Sequence, residues 1–296
     1  MAIRKRYILI PTAVVLTILV AASILVYLFF FRGYRYDGSM EGDVKAVVEI
    51  TRDDHGVPHI KAKTPEDAYF ALGYCHAQDR YNLMKYYRTL ANGRLSKIMG
   101  DDAKAADRLS LIIGFARKAK EIGDALPEPY KGYLQHYVNG VNKARRITFS
   151  KSTMRRDWTV NDVIAILLLK EWGNAFLNNR ELNFVLPESA QTAALEEIFP
   201  KNSIIYYNEL NKDSVTMIEQ LGALVQKYIG SYNRGIGFYV PPDFSQSDEY
   251  LLGLSFDSDL GVYPGWYPAS IVVDGATVNG ITHVGMPFVF AGNNRN

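Results

Sequence analysis

The sequence predicts an α+β protein in which helices come first and strands follow. Apolar residues recur at helical spacing from residue 65 to about residue 198, whereas short alternating segments bounded by glycine and proline recur after residue 231. A run of one element type followed by the other indicates either one α+β domain or two modules. The 296 residues, 48% of them hydrophobic, suffice for one or two domains with cores of their own.

The N-terminal segment predicts a membrane anchor. Residues 1–6 carry three cations and are expected to stay in the cytoplasm, while residues 7–31 form an uncharged apolar run. As a helix this run would measure roughly 35–40 Å, enough to cross a bilayer. A cleaved signal peptide is the alternative, but its apolar core should be shorter and end in small residues, not in Tyr27-Leu28-Phe29-Phe30-Phe31. The bulk of the chain is then expected in the periplasm or outside the cell.

Composition and local pattern exclude several kinds of site. The net charge of +2 gives no indication of nucleic-acid binding. Cys75 is the sole cysteine of the sequence, and its apolar helical surroundings favour a buried, inert thiol over a nucleophile. His55 and His59 have a spacing that suits a metal on a helix, but Gly56 and Pro58 between them forbid that helix.

Two capping motifs predict the starts of the main helices. Thr64 is expected to cap a helix that begins at Pro65, with Asp67 at the position of a capping-box acid. Thr159 and Asp162 repeat the pattern before a second long apolar segment. The histidines within the helical patterns are interpreted as ordinary packing or surface residues, and they are His76 and His136.

The C-terminal region predicts short strands joined by turns. A linker with one helical patch is expected at residues 201–230, before the strands. Asp274-Gly275 is typical of a tight hairpin turn. His283 falls among these strands without a partner that the sequence identifies. The predicted strands are 238–240, 250–256, 269–273, 277–281 and 287–290.

Residues 48–100 carry an ordered set of uncommon motifs: Arg52-Asp53, Gly56-Val57-Pro58-His59-Ile60, Ala71-Leu72-Gly73-Tyr74, Ala77-Gln78-Asp79-Arg80 and Gly93-Arg94-Leu95-Ser96. In these motifs the chain resembles the penicillin amidase (penicillin acylase) family of N-terminal nucleophile (Ntn) hydrolases. The resemblance returns at residues 254–261 and 280–294. It implies an Ntn-hydrolase fold of αββα type, with residues 32–200 as a helical α-chain and residues 231–296 as an incomplete start of the β-chain.

The resemblance also implies where the chemistry lies. Members of the family cut themselves between a small residue and a serine, and the freed serine becomes the nucleophile. Gly230–Ser231 stands at that place, although local sequence alone favours an ordinary loop serine. Once Ser231 is N-terminal, its own α-amine, with an ordinary pKa of about 7.7–8.0, can accept the hydroxyl proton. No histidine is then needed as a base.

Four further positions follow from the resemblance. Asn233 and Asp259 are expected near the nucleophile, although family members have a His or Gln where Asp259 stands. Phe176 is expected to line the acyl pocket, with plain core packing as an equal alternative. Glu181 is expected to bind a structural calcium ion, with a solvated carboxylate as the alternative. No cofactor is expected for catalysis.

The predicted function is that of the N-terminal part of an acylase precursor, which hydrolyses the linear amide of a small N-acyl compound. Residues 231–296 number 66, far fewer than a family β-chain, so a separate chain carrying the rest is one expected partner. The main alternative is a non-catalytic, membrane-tethered binding or remnant protein. Two departures from the family pattern, Arg234 and Asp259, support that alternative. A cysteine amidase that uses Cys75 is a third interpretation.

Overall fold

A computed structural model of the chain describes residues 14–25, 37–148, 156–185, 223–224, 226–229, 235–246, 251–256 and 265–295. The described helices are α1 (14–25), α2 (Pro65–Ala91), α3 (Ser96–Met99), α4 (Lys104–Ile113), α5 (Phe115–Ala125), α6 (Tyr130–Thr148) and α7 (Val160–Val185). The described strands are β1 (Glu49–Arg52), β2 (Pro58–Ala62), β3 (Gly235–Val240), β4 (Leu251–Phe256), β5 (Trp266–Val273), β6 (Ala276–His283) and β7 (Met286–Arg295). Single 3₁₀ turns lie at Asp101–Ala103 and Pro242–Phe244.

Both predicted helix starts are confirmed, and Thr64 caps α2 as expected, whereas the carboxylate of Asp67 accepts hydrogen bonds from the N–H groups of Lys45 and Ala46. Thr64 has an extended backbone, and its hydroxyl oxygen accepts a hydrogen bond from the N–H of Asp67 at 3.2 Å, with Pro65 in the first turn. At the start of α7 the Asp162 carboxylate accepts hydrogen bonds from the N–H and the hydroxyl of Thr159, each at 2.9 Å. These contacts satisfy donors that the first helical turn leaves without intrahelical acceptors.

One mixed sheet joins the helical region to the C-terminal region. Its strand order is β1–β2–β5–β6–β7, and β2 runs parallel to β5, with His59 opposite Ser270. The other neighbouring pairs are antiparallel. Because β1 and β2 precede α2 in the sequence, the helical region supplies two strands to the sheet that the C-terminal strands complete. The two regions therefore share one sheet and do not form separate modules.

The hairpin between β5 and β6 turns where the sequence predicts. Asp274 and Gly275 have positive φ angles of 48° and 87°, and Val273 lies opposite Ala276. Two successive positive φ angles are the geometry that a two-residue hairpin turn requires, and glycine adopts it without strain. The strands predicted after residue 231 are confirmed as β3 to β7, and β3 and β5 to β7 are longer than the sequence indicated.

Helices α2 and α6 approach so closely that two glycines are needed at their crossing. A Cβ atom on Gly140 would overlap the carbonyl oxygen of Phe70, and one on Gly73 would overlap the carbonyl oxygen of Tyr137. Both helices pack into a single hydrophobic core with α7 and the sheet. The largest fully buried side chains of that core include Tyr137, Ile60, Met84, Leu90, Ile166, Leu169 and Met286.

The predicted membrane anchor at residues 7–31 is wrong. Of that segment the structure describes residues 14–25, which are helical. None of the helices in the described residues is long and apolar enough to cross a membrane. The predicted membrane-anchored localisation and the membrane as a partner are corrected with it.

The predicted fold class is corrected as well. The combination of helices and strands is present, but the predicted αββα type with a transmembrane helix is not what the described residues form. Their strands make one five-stranded mixed sheet and a separate two-stranded hairpin of β3 and β4. Helices α2 and α7 pack on the five-stranded sheet. The chain is therefore a mixed helix and sheet protein.

Gly140→Ala should lower the free energy of unfolding by about 2–3 kcal/mol, because the added methyl group forces α2 and α6 apart in a close-packed core. Urea unfolding followed by circular dichroism measures the change. Gly132→Ala in the same helix is the matched control, since its Cβ would meet only the end of the exposed Glu128 side chain, 3.0 Å away. The control should be neutral or up to about 1 kcal/mol more stable. Equal effects of the two changes would contradict the close crossing.

Candidate active site

The predicted cleavage site and its neighbours lie outside the described residues. This holds for Gly230, Ser231, Asn233 and Asp259. Glu181 lies within helix α7, but its side chain is outside the described part of the structure. The roles assigned to these five residues therefore stay predictions.

The residues that lead to Gly230 are held against the helical core. Tyr228 and Ile229 are buried, with exposed fractions of 4% and 3%. The Tyr86 hydroxyl of α2 donates a hydrogen bond to the Tyr228 carbonyl at 2.7 Å. The Tyr228 hydroxyl donates in turn to the Asp102 carbonyl at 2.8 Å. The chain therefore reaches Gly230 from a fixed position beside α2.

Lys170 binds the carbonyl of the next residue in the chain, Ile229. It lies in α7 with an exposed fraction of 4%, and its Nζ donates a hydrogen bond to the Ile229 carbonyl at 2.9 Å. The same Nζ lies 4.9 Å from the centre of the Tyr87 ring, within the range of a cation–π contact. Burial lowers the pKa of Lys170 to about 8, and the charge of the adjacent Glu171 opposes that shift. The Ile229 carbonyl and the face of the Tyr87 ring thus help to keep the ammonium in an apolar region.

His283 ends strand β6 beside this lysine. Its ring lies 5.5 Å from the rings of both Tyr87 and Trp266, and its Nδ1 is 3.1 Å from the Val284 carbonyl oxygen. Burial, and then the positive charge of Lys170, hold the pKa of His283 well below its ordinary value. The imidazole is therefore neutral near pH 7. The sequence identified no partner for His283, because its neighbours come from α2, β5 and α7.

His76 is fully used as a structural link between helix and sheet. Its Nδ1 is 2.8 Å from the Tyr137 hydroxyl, and its Nε2 is 2.8 Å from the Thr282 hydroxyl. The Thr282 hydroxyl donates its own proton to the Tyr267 carbonyl, so it accepts from Nε2–H. Nδ1 then accepts from Tyr137. Burial lowers the pKa of His76 to about 3. The sequence-based interpretation of His76 as an ordinary packing residue missed that its ring is buried with both nitrogens in hydrogen bonds.

The motif residues at the start of the chain form a polar network that fastens α2 to the sheet. Arg52 of β1 donates to both carboxylate oxygens of Asp79, at 2.9 and 3.2 Å, and to the side-chain oxygen of Gln78 at 3.0 Å. The Tyr267 hydroxyl donates to Asp79 at 2.5 Å. Arg52 also donates to the Gly56 carbonyl at 2.9 Å. These contacts support a structural role for the motifs.

Two other predicted residues lie in the described core. Phe176 of α7 is half-buried and stacks on Trp172 with ring centres 5.3 Å apart, and Trp172 in turn lies 5.9 Å from Phe115. This packing is compatible with either interpretation of Phe176, whose place in an acyl pocket stays a prediction. Cys75 is fully buried, and burial raises the pKa of its thiol to about 12. The predicted burial of the thiol is confirmed.

No group of three or more His, Cys, Asp or Glu side chains among the described residues is arranged to hold a metal ion. A calcium ion prefers several oxygen ligands, of which one carboxylate supplies only a part. The calcium ion assigned to Glu181 therefore stays a prediction, and no chemical step is derived through it.

Comparison with known proteins decides the family. A sequence model of the penicillin amidase family matches residues 47–296. This chain belongs to the penicillin amidase family. An acyl-homoserine lactone acylase (QuiP) of Pseudomonas syringae pv. syringae strain B728a is 26% identical over 269 residues, 83% of this chain and 33% of that protein. The penicillin acylase 2 proenzyme of Pseudomonas sp. strain SE83 is 41% identical over 99 residues, 33% of this chain and 13% of that protein.

Family membership covers most of this chain, but the chain spans only about a third of the length of the acyl-homoserine lactone acylases that it matches. A solved thermostable penicillin G acylase from Alcaligenes faecalis covers 56% of this chain at 20% identity, with 97% of that chain covered. Its TM-score of 0.37 is too low for any conclusion about this chain. The family assignment therefore comes from sequence.

Asp79→Asn should lower the free energy of unfolding by about 3 kcal/mol, because it leaves the half-buried Arg52 guanidinium without its charge partner. Chemical unfolding at pH 7 measures the loss. Asp54→Asn, an exposed change in the adjacent turn, is the control and should stay within about 0.5 kcal/mol of the wild type. If both variants unfold at the same denaturant concentration, the network does not fasten α2 to the sheet.

Lys170 predicts a pH dependence of stability. Its folded pKa of about 8 lies below the ordinary 10.5, so the unfolded chain binds more protons between these pH values. The wild type should therefore gain about 3 kcal/mol in free energy of unfolding from this residue as the pH rises from about 8 to 10.5. Below pH 8 the destabilisation caused by the buried charged lysine is fully present. Lys170→Met lacks this titration. The difference in free energy of unfolding between the wild type and Lys170→Met should change by that amount across this pH range. A difference that does not vary with pH would show that no buried ammonium titrates there.

Proposed function

We propose that the chain is the N-terminal part of an acylase precursor that hydrolyses the linear amide bond of a small N-acyl compound. Membership of the penicillin amidase family over residues 47–296 is the observation that carries the proposal. Relatives of this chain are named as acylases that act on acyl-homoserine lactones or penicillin. These names support an amide between an acyl group and an amine as the bond that is cut.

Self-cleavage between Gly230 and Ser231 would generate the nucleophile. The Ser231 hydroxyl oxygen attacks the Gly230 carbonyl carbon, the carbon–nitrogen bond breaks, and the hydroxyl proton ends on the nitrogen, which becomes the Ser231 α-amine. Water then hydrolyses the resulting ester, which leaves a carboxylate on Gly230 and returns the hydroxyl. A relative named as a proenzyme supports formation from a precursor. A glycine before the cut also permits strained backbone conformations.

Substrate hydrolysis would use the same two groups in a second cycle. The Ser231 α-amine takes the proton from the Ser231 hydroxyl, which attacks the substrate carbonyl and forms an acyl ester. The proton passes to the leaving amine, and water releases the acid. Asn233 and Asp259 are proposed to lie near this centre, Phe176 to line the acyl pocket and Glu181 to bind a structural calcium ion. The rest of the β-chain, on this or a separate polypeptide, would complete the site.

Three candidate catalytic side chains among the described residues are buried, which supports Ser231 over them. Both ring nitrogens of His76 are engaged in hydrogen bonds inside the core, and Cys75 is buried with a raised thiol pKa. His283 is buried beside a cation that disfavours its protonated form. None of the three has the exposure that a nucleophile or its base needs to reach a substrate.

Ser231→Ala should abolish both cleavage of the chain and amide hydrolysis, because it removes the attacking oxygen of both reactions. The full product of the gene is expressed, and its fragments are identified by intact mass and N-terminal sequencing. Hydrolysis of N-acyl-homoserine lactones and penicillins is measured as the amount of free amine released. Ser245→Ala, in a separate turn, is the control and should behave as the wild type. Cleavage or hydrolysis that persists in Ser231→Ala would contradict the assignment of Ser231 as the nucleophile.

A further inference from the structure

Helices α3 and α4 expose large apolar side chains to solvent. Ile98 and Met99 end α3, and Leu111 and Ile112 lie in the last turn of α4. These four side chains are between 51% and 70% exposed, and together they define the α3–α4 surface. Single exposed apolar residues are common and need no explanation, whereas several on adjacent elements mark an interaction site. The α3–α4 surface is therefore a candidate for binding a partner.

Contacts between the two helices hold α3 beside α4. The Asp107 carboxylate of α4 accepts hydrogen bonds from the N–H groups of Leu95 and Ser96, at 2.5 and 2.9 Å, where α3 begins. A Cβ atom on Gly93 would meet the Leu111 side chain at 2.5 Å, so Leu111 lies against the turn that precedes α3. Helix α4 has ten residues and is about 15 Å long. The α3–α4 surface is thus small and fixed before any partner arrives, which lowers the entropy lost on binding.

Three exposed cations lie next to the apolar side chains and form no ion pair with another described residue. Lys97 precedes Ile98 in α3, Arg108 lies one turn before Ile112 in α4, and Arg94 lies in the turn before α3. Other exposed lysines of α4 and α5 do pair with a carboxylate three or four residues away. The α3–α4 surface therefore carries an excess of positive charge, which a partner bearing carboxylates would match.

We propose that the α3–α4 surface binds an acidic amphipathic helix of a partner protein. Apolar side chains on one face of that helix would cover the exposed apolar side chains, and carboxylates beside that face would meet the three cations. Arg108 and Ile112 are four positions apart, so a cation and an apolar side chain follow each other along one face of α4. A helix laid along α4 can contact both. This interaction goes beyond the proposed acylase activity and does not depend on it.

The charge pattern favours such a helix over two other occupants. A second copy of this chain would bring the same three cations face to face, and like charges in an interface repel. An anionic bilayer would attract the cations, but the carboxylates of Asp101 and Asp102, exposed between α3 and α4, would then face its anionic headgroups. A helix covers a narrower strip and can leave both carboxylates in water.

The test measures binding of labelled synthetic peptides to the full product of the gene by fluorescence anisotropy. The first peptide is an amphipathic helix of leucine and glutamate, about five turns long. The second has the same composition with leucine distributed around the helix, and the third has lysine in place of glutamate. The first should bind at least about tenfold more tightly than the other two, and its affinity should fall as the salt concentration rises.

Substitutions locate the binding site. Ile112→Ser and Arg108→Glu should each weaken binding of the first peptide on the order of tenfold, because one removes apolar contact and the other places like charges together. Phe244→Ser, in a separate turn, and Lys131→Glu, on α6, change equally exposed residues of the same types and should bind as the wild type. Melting temperatures show whether each variant is folded, and Ile98→Ser replaces Ile112→Ser if the latter does not fold.

Four outcomes would overturn the proposal. Equal affinity for the first two peptides would show that no apolar face is recognised, and wild-type affinity in the folded surface variants would place the peptide elsewhere. Vesicles containing phosphatidylglycerol that bind through Ile112 while the acidic peptide does not would assign the α3–α4 surface to a lipid. A dimer in sedimentation velocity that Ile112→Ser dissociates would assign it to a second copy of the chain.

Discussion

The structure depends on helix α2 being enclosed on most of its sides. Glycine at the crossing with α6 lets the two backbones approach, and the sheet and α7 cover other faces of α2. Polar side chains on an enclosed helix must find partners inside the protein. His76 reaches Thr282, Asp79 reaches Arg52, and Tyr86 reaches the Tyr228 carbonyl. The enclosure therefore turns one helix into the common support of the sheet and of the segment before Gly230.

Local features were predictable because they depend on neighbours in the sequence. The helix starts at Thr64 and Thr159 and the turn at Asp274-Gly275 each need only three or four consecutive residues, and all three are confirmed. The burial of Cys75 also followed from its immediate surroundings. The apolar run at residues 7–31 shows the limit of such arguments, because it predicted a membrane span and none of the described helices is long and apolar enough for one.

The remaining features bring together residues that are distant in sequence. His76 and Thr282 are 206 positions apart, and Lys170 lies 59 positions from Ile229. No local pattern marks these pairs, and Lys170 carries no motif of its own. A lysine within the apolar stretch of α7 was the one available signal, since a charge there must be either solvated or paired. The nucleophile was reached only through the family resemblance, because a glycine and a serine in sequence are common in loops.

The parallel pairing of β2 with β5 has a consequence for the product of a cut at residue 230. Strands β1 and β2 would belong to one fragment and β5 to β7 to the other, yet all five would remain hydrogen-bonded neighbours in one sheet. The two fragments would already be paired in one sheet when the cut is made, so they would not have to diffuse together through solution. Two separately made pieces would lose translational and rotational freedom on meeting, a cost that a single precursor avoids. Translation as one polypeptide would thus serve as the assembly step of a two-chain protein.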